Sequence, residues 1–384
     1  MESFDNRAEA KMEPAVVKVI GVGGGGCNAI DNMIRSNLRG VEFISANTDA
    51  QILEKNLAPH KIYLGANLTR GLGAGADPEI GEQAALEGEE QIKHAIQGAQ
   101  MLFITAGMGG GTGTGASPVV AKIAKELEIL TVAVVTKPFA YEGKRAKIAE
   151  QGLEKLREQV DSLIVIPNDN LLKLLGEEVT MREAFAEADA ILTSAVTGIH
   201  EVVSSAGLIN LDFSDVKNIM RIRGIAMMGS AEVTGEDRAR LATEKAIFNP
   251  LLESISLKGA KGILLNITTR PGELRMSEYN EIMSIINGYV DPEAERKYGV
   301  VEDETMTEGA IRVTLIATDL GDDSNGVAHT HERTISGGGR SMSFGSIIRS
   351  GRSGSSTRLT AEDFKKRSVM DDFEVPAMLR RQAD

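Results

Sequence analysis

"MLFITAGMGGGTGTGASP", residues 101–118, runs from an almost unbroken apolar stretch into a loop with six glycines among residues 107–115, then through Pro118 into a helical pattern. A strand, a glycine-rich turn and a helix joined in this way bring several backbone N–H groups and a positive helix end to one point. Proteins cradle phosphate with that arrangement. Gly107, Gly109, Gly110, Gly111, Gly113 and Gly115 have no side chain to hold an anion off the backbone, and Thr112 and Thr114 supply hydroxyl donors. The common nucleotide loop follows its last glycine with Lys-Ser or Lys-Thr. Here the chain reads Thr114, Gly115, Ala116, Ser117, so phosphate must be met without that lysine. The alternative, a flexible surface turn, fits poorly between "MLFITA" and "PVVAKIAKEL".

Around this loop, short apolar runs alternate with helical segments: "VVKVIGV" from Val16, "VEFISAN" from Val41, "LTVAVVT" from Leu130 and "SLIVIPN" from Ser162. Continuous apolar runs of this length are strands buried on both faces, so the pattern predicts a mostly parallel α/β sheet with ligands at the carboxyl ends of its strands. From Asp189 the period changes. Leu192, Ala195, Val196, Ile199, Val202 and Val203 recur at three and four residues, predicting a long central helix over 188–207 with Gly207 at its C-cap. Beyond it, "IAMMGSA", "GILLNITT" and "IRVTLIAT" alternate with "EDRARLATEKAIF" and "SEYNEIMSIINGYV", which predicts a second α/β domain over 208–320. Residues 1–14 read as a disordered N-terminal segment and 15–187 as the nucleotide domain. Residues 324–358 hold nine serines, seven glycines, five arginines and one acid, too little apolar matter for a core. The reading is a flexible tether over 321–369, followed by a docking peptide over 370–384.

Composition excludes several classes. The chain has 384 residues, enough for two folded domains, and a formal net charge of −13, opposite in sign to what a general nucleic-acid binder concentrates. Its single cysteine, Cys27, precludes an intrachain disulfide and suits a reducing cytoplasm. No apolar run approaches the roughly 20 residues of a membrane helix, so direct membrane insertion is not expected.

A second glycine loop, "GVGGGGCNA" from Gly21, follows the first strand and opens a helix whose Ile30, Met33, Ile34 and Leu38 form one apolar face. Gly21, Gly23 and Gly26 satisfy the dinucleotide fingerprint, and Asp49 stands where a ribose-binding acid would be. Alone, this favours a nicotinamide-dependent oxidoreductase. It leaves unexplained the loop at 107–115 and a third, "GLGAGADP", at 71–78; three glycine loops converging on one sheet edge suit a polyphosphate.

The residues also carry a resemblance. "GGGTGTG" from Gly109 resembles the tubulin signature. In chain order, "GVGGGGCNA", "NTDAQ", "GLGAGADPEIG", "AGMGGGTGTGASPVVA", "TKPFAYEGKR", "IPNDNLL" and "NLDFSDVK" are similar to the FtsZ family, the bacterial tubulin homologues that build the division ring. The terminal "FEVPAMLRRQAD" resembles that family's tail peptide. The resemblance implies a tubulin-like fold, GTP and GDP as ligands, and Mg2+ held mainly through the phosphates. The phosphates would lie over Gly24, Gly25, Gly26, Cys27 and Asn28, over Gly73, Ala74 and Gly75, and over Gly107 and Gly109 to Thr114. Ribose contacts carry over to Glu142 and Arg145, and base contacts to Asn168, Phe185 and Asp189. Phe185 would stack on guanine, and Asp189 would accept from its N1–H and amino group. Two departures stand out: "EGKRAKIAEQG" is one residue shorter than the family's commonest form, and Cys27 replaces a frequent glycine.

Past the central helix, "INLDFSDVKNIM" sets Asp212 and Asp215 three apart at a helix start. By themselves, Ser214 or Asp215 reads as an N-cap and Asp212 as a nearby solvated acid, each suited to a positive helix end. The resemblance implies instead that Asn210, Asp212 and Asp215 of one subunit act on the nucleotide of the next, polarising the attacking water. It further implies a head-to-tail homopolymer, recruitment of membrane-associated division proteins by the tail peptide, and a cytoplasmic location at the mid-cell ring. A noncatalytic GTP-binding scaffold is the remaining alternative.

Overall fold

A computed structural model describes residues 15–175, 179–204, 207–209, 211–222, 225–249 and 257–319. The N-terminal segment, the tether, the tail peptide and Asn210 lie outside the described residues. The strands are β1 (Val17–Val22), β2 (Val41–Asn47), β3 (His60–Tyr63), β4 (Met101–Gly107), β5 (Leu130–Lys137), β6 (Ser162–Pro167), β7 (Ile225–Thr234), β8 (Gly262–Thr269), β9 (Glu295–Glu302) and β10 (Ala310–Thr318). Among the described residues they form one ten-stranded sheet in the order β3-β2-β1-β4-β5-β6-β7-β10-β8-β9. From β3 to β6 every neighbour is parallel, β7 and β8 each pair antiparallel with β10, and β9 is parallel to β8. The mostly parallel α/β sheet expected from the apolar runs is present. Among the described residues β6 and β7 join the two halves through two residue pairs, Leu163–Ile225 and Ile164–Ala226.

The helices are α1 (Gly23–Arg35), α2 (Ala50–Lys55), α3 (Pro78–Glu87), α4 (Glu89–Ile96), α5 (Thr112–Glu126), α6 (Lys144–Arg157), α7 (Asn168–Leu175), α8 (Met181–Ser204), α9 (Phe213–Met220), α10 (Arg238–Ile247) and α11 (Met276–Tyr289). The period of two along a strand explains the unbroken apolar runs. In β4, Met101 and Phe103 join the core formed with α1, α8 and α9, while Leu102 and Ile104 join the core under α4 and α5. In the second half, Ile263, Leu265 and Ile267 of β8 and Val313 and Leu315 of β10 pack with α10 and α11. Leu264 and Ile316 face the other way, into the core that contains α8 and α9. The long central helix therefore packs against strands of both halves.

That helix starts earlier than its apolar period suggests, at Met181, because "TMRE" caps it. Thr180 N donates to Glu183 Oε2 at 2.8 Å, and Glu183 N donates to Thr180 Oγ1 at 3.3 Å. These bonds hold the exposed Glu183 carboxyl below its ordinary range. Gly207 is needed for proximity rather than for the expected C-cap: a Cβ there would fall 2.0 Å from Val300 O of β9.

Candidate functional site

Strand order reverses between β1 and β4, since β1 leads outward to β2 and β3 while β4 leads to β5 and β6. Such a switch point opens a crevice at the carboxyl ends of the strands. Both glycine loops that follow these strands sit there. They pack backbone on backbone: Gly23 has φ +72° and a Cβ on it would fall 2.7 Å from Gly113 N, and a Cβ on Gly113 would fall 2.6 Å from Gly107 O. The loops deliver the N-termini of α1 and α5 to one cavity of about 480 Å³. Neither helix has a side-chain cap or an acid in its first turn. By contrast, Asp49 caps α2 and Asp77 caps α3. The first-turn N–H groups of α1 and α5 are thus left for an anion, and both macrodipoles favour one there. Thr112 lines the same end, its hydroxyl 2.6 Å from that of Thr48.

The other end of the cavity is built for a planar, hydrogen-bonding group. Phe185, on the first half of α8, is 47% exposed and meets the buried ring of Phe139 edge-on at 6.1 Å. Tyr141 stacks on Phe139 at 5.1 Å. One helical turn beyond Phe185 is Asp189, whose carboxyl is pushed up to about 6 by burial. Asn168, at the start of α7, is buried, and its Oδ1 has no hydrogen-bond partner. An unpaired buried acceptor costs about 1–3 kcal/mol unless a ligand satisfies it. An Asp and an Asn carbonyl beside an exposed ring ask for a base with amino and N–H donors, which guanine has at adjacent positions.

The expected residues fall into two groups. Gly24, Gly25, Asn28, Gly73, Gly107, Gly110, Gly111, Thr112, Gly113, Glu142, Arg145, Asn168, Phe185 and Asp189 line the cavity. Gly26, Cys27, Ala74, Gly75, Gly109 and Thr114 do not. Gly26 packs against β4, where a Cβ would fall 2.4 Å from Thr105 O. The Cys27 thiol turns into the core beside Asn47, and burial pushes it up to about 11. Its side chain therefore fits where the family often has glycine. The Thr114 hydroxyl accepts from Gly109 N at 2.8 Å and so braces the loop itself. Glu142 and Arg145 pair with each other, and Glu142 Oε1 also accepts from Phe139 N at 3.0 Å. Asn47, Thr48, Ile52, Met108, Thr136, Pro138, Ala188 and Leu192 also line the cavity, though the sequence does not mark them as nucleotide contacts. Leu192 and Ala188 were detectable as neighbours of Asp189 and Phe185 on one helix face.

Asp212 and Asp215 are not among the cavity's lining residues. The N-cap position of α9 falls on Asp212, with an extended backbone, and not on Ser214 or Asp215, because the helix already starts at Phe213; the exposed Asp212 carboxylate nevertheless makes no cap hydrogen bond. Asp215, in the first turn, lies 2.8 Å from Lys297 Nζ of β9.

Replacing Asp189 with Asn is expected to weaken GTP binding by roughly 10- to 150-fold, since a charged acceptor of two bonds is worth ~1.5–3 kcal/mol. The pH dependence follows from the raised carboxyl. Above about pH 6 the carboxylate is present and binding is full; below it, the base must displace a proton, and affinity falls by about tenfold per pH unit. The same burial makes the folded state gain stability as pH drops from about 6 towards the ordinary value of 3.8. Calorimetric titration across that window checks both. An Asp189→Asn chain with the same pH profile as the unaltered one would reject the assignment.

Fold and cavity are those of a nucleotide-binding α/β protein, with glycine loops and two uncapped helix ends, and no loop lysine, facing the cavity. Residues 16–176 match the family model "Tubulin/FtsZ family, GTPase domain", and residues 224–321 match "FtsZ family, C-terminal domain". The chain is 59% identical over 388 residues to the cell division protein FtsZ of Neisseria gonorrhoeae, covering 100% of this chain and 99% of that one. It is 46% identical over 400 residues to that of Pseudomonas aeruginosa, covering 100% of both. Among solved structures, an empty FtsZ dimer of M. jannaschii superposes with a TM-score of 0.75 at 43% identity, covering 80% of this chain and 89% of that one. CetZ1 of Haloferax volcanii, at 20% identity and TM-score 0.69, shares the fold. The chain belongs to the FtsZ family. It is a GTPase that binds GTP and GDP. The oxidoreductase alternative is not favoured, and Asp49, the acid it would use, is engaged in capping α2.

Proposed function

We propose that this GTPase assembles head to tail into cytoskeletal filaments of the bacterial division ring and hydrolyses GTP at a site completed by the next subunit. One observation carries the reading. The cavity collects phosphate donors and base acceptors, while the carboxylates suited to activating water, Asp212 and Asp215, belong to a loop tied to β9 at the far edge of the sheet. Six strand spacings separate β4 from β9, on the order of 25–30 Å. At that separation an acid cannot act on its own subunit's nucleotide, whereas a head-to-tail contact brings it to a neighbour's. An FtsZ dimer among the similar structures supports the same direction of reading.

GTP would lie with its phosphates over the first turns of α1 and α5 and the Gly73 loop, its ribose near Glu142 and Arg145, and guanine on Phe185 between Asn168 and Asp189. The Thr48 and Thr112 hydroxyls are the hard oxygen donors that magnesium prefers. That ion, held mainly on the phosphates, would neutralise charge developing on the γ-phosphate. Asp212 and Asp215, with Asn210 outside the described residues, would orient and polarise the attacking water.

Among the described residues no helix is long and apolar enough to cross a membrane. Membrane-associated division proteins would instead recruit the filament to mid-cell through residues 370–384. Phe373, Val375, Met378 and Leu379 supply apolar anchors there, and Arg380 and Arg381 can pair with a partner's acids.

The test is hydrolysis per subunit against protein concentration. A shared site predicts almost none at high dilution and a steep rise above a threshold, because the activating carboxylates arrive with a neighbour. Constant specific activity across the series would reject it.

A further inference from the structure

The acidic loop is docked along β9, an edge strand of the sheet, through a run of contacts. Ile209 and Val300 exchange both backbone hydrogen bonds, Ile209 N to Val300 O at 3.4 Å and Val300 N to Ile209 O at 3.1 Å. Gly207 lies so close to Val300 O that no side chain fits between them. A Cβ on Gly299 would rest 3.5 Å from Leu211 Cδ1, an ordinary packing distance. At the end of this run the Lys297 ammonium meets Asp215 Oδ1 at 2.8 Å, both side chains about one-third exposed.

We propose that Lys297 is a positioning residue for GTP hydrolysis, holding the Asp215 carboxylate in the orientation that the acidic loop presents to the next subunit's nucleotide. The proposal rests on the shared-site reading above. A carboxylate can accept about four hydrogen bonds. Lysine takes one, at Oδ1, and leaves Oδ2 able to face a water. The hydrogen bond raises the affinity of Lys297 for its proton, so the ammonium stays charged at any pH at which the protein works. Among the described residues Asp212 is in no ion pair of this kind, and it makes no cap bond. The two acids are therefore unequal before any neighbour arrives: Asp212 is free to turn, and Asp215 is held. Side chains that align reacting groups act mainly on the rate of the chemical step, and a displacement of an ångström there is costly. Lys297 is outside the nucleotide cavity of its own subunit, so it should not alter GTP affinity.

The experiment uses the full chain, with polymer mass matched by sedimentation and turnover read as labelled phosphate release. Lys297→Met is expected to lower kcat about tenfold with GTP affinity of the free subunit unchanged, and Lys297→Arg to recover most of the loss. Lys297→Gln serves as a second neutral variant should the methionine variant fold poorly. In an Asp215→Ala background, Lys297→Met should cause no further loss, because the lysine acts through that carboxylate. Unchanged kcat in both neutral variants, or a full additional loss in the Asp215→Ala background, overturns the role of Lys297. Full turnover in Asp215→Ala alone removes that carboxylate from the reaction and overturns this inference, whereas failure of the shared-site reading shows as constant specific activity on dilution, so the two failures are distinguishable.

Discussion

Replacing Asp212 with Ala is expected to leave GTP binding nearly unchanged and to slow hydrolysis by about 10²–10³-fold, the usual cost of removing one preorganised polar group from a reacting centre. The side chain is exposed, lies outside the nucleotide cavity and makes no cap hydrogen bond, so its loss should cost α9 little. A group that served only as a helix cap would show the reverse: lower stability, by about 0.5–2 kcal/mol, with turnover preserved. Equilibrium GTP binding, thermal unfolding and phosphate release, measured on one preparation, separate the two outcomes. Normal turnover in filaments of the variant would remove Asp212 from the reaction.

Replacing Gly113 with Ala is expected to have the largest effect on nucleotide binding. A Cβ there would fall 2.6 Å from Gly107 O and 3.4 Å from Val22 O, both rigid backbone atoms at the meeting of the two loops. The loops must separate to admit it. Overpacking of this kind costs about 1–3 kcal/mol in stability, and it also spoils the convergence of N–H groups on one anion. GTP affinity should fall by more than about 100-fold. Affinity within a few fold of the unaltered chain would mean that the phosphates lie elsewhere.

The two variants together test the division of labour. Asp212→Ala keeps an intact cavity, and Gly113→Ala keeps an intact acidic loop. Mixed at a concentration where each alone is nearly inactive, they should regain part of the turnover wherever the cavity of one meets the loop of the other. No recovery in mixtures that demonstrably co-assemble would argue for a site contained within one chain.

Much of this could be read before any coordinates. The strands β1, β4 and β5 announce themselves because both their faces are largely buried, so their runs are almost continuously apolar, with only single polar residues such as Lys18, Thr105 and Thr131 within them. The glycine loops are legible because close backbone packing is a requirement on each residue separately: no other side chain fits at Gly113 or Gly23. The period of α8 is equally a local property of the chain.

What went unread lies at the margins of the sheet and between distant segments. "HKIY" and "ERKYGVVE" are the edge strands β3 and β9, and their exposed, charged positions hide the apolar pattern that marks a buried strand. Without β9 there is no way to see that Gly207 makes room for Val300, or that Asp215 is held by Lys297. The pairing of Glu142 with Arg145 and the inward turn of Cys27 were likewise set by surroundings the sequence does not display. The raised carboxyl of Asp189 and the unpartnered Oδ1 of Asn168 both arise from burial, which depends on what every neighbouring element covers. Sequence alone determined which loops could hold a phosphate, because steric permission is a property of single residues. Only the tertiary structure decided which acids are free, which are held and how far they stand from the nucleotide cavity, because burial and pairing depend on residues that meet only in the folded chain.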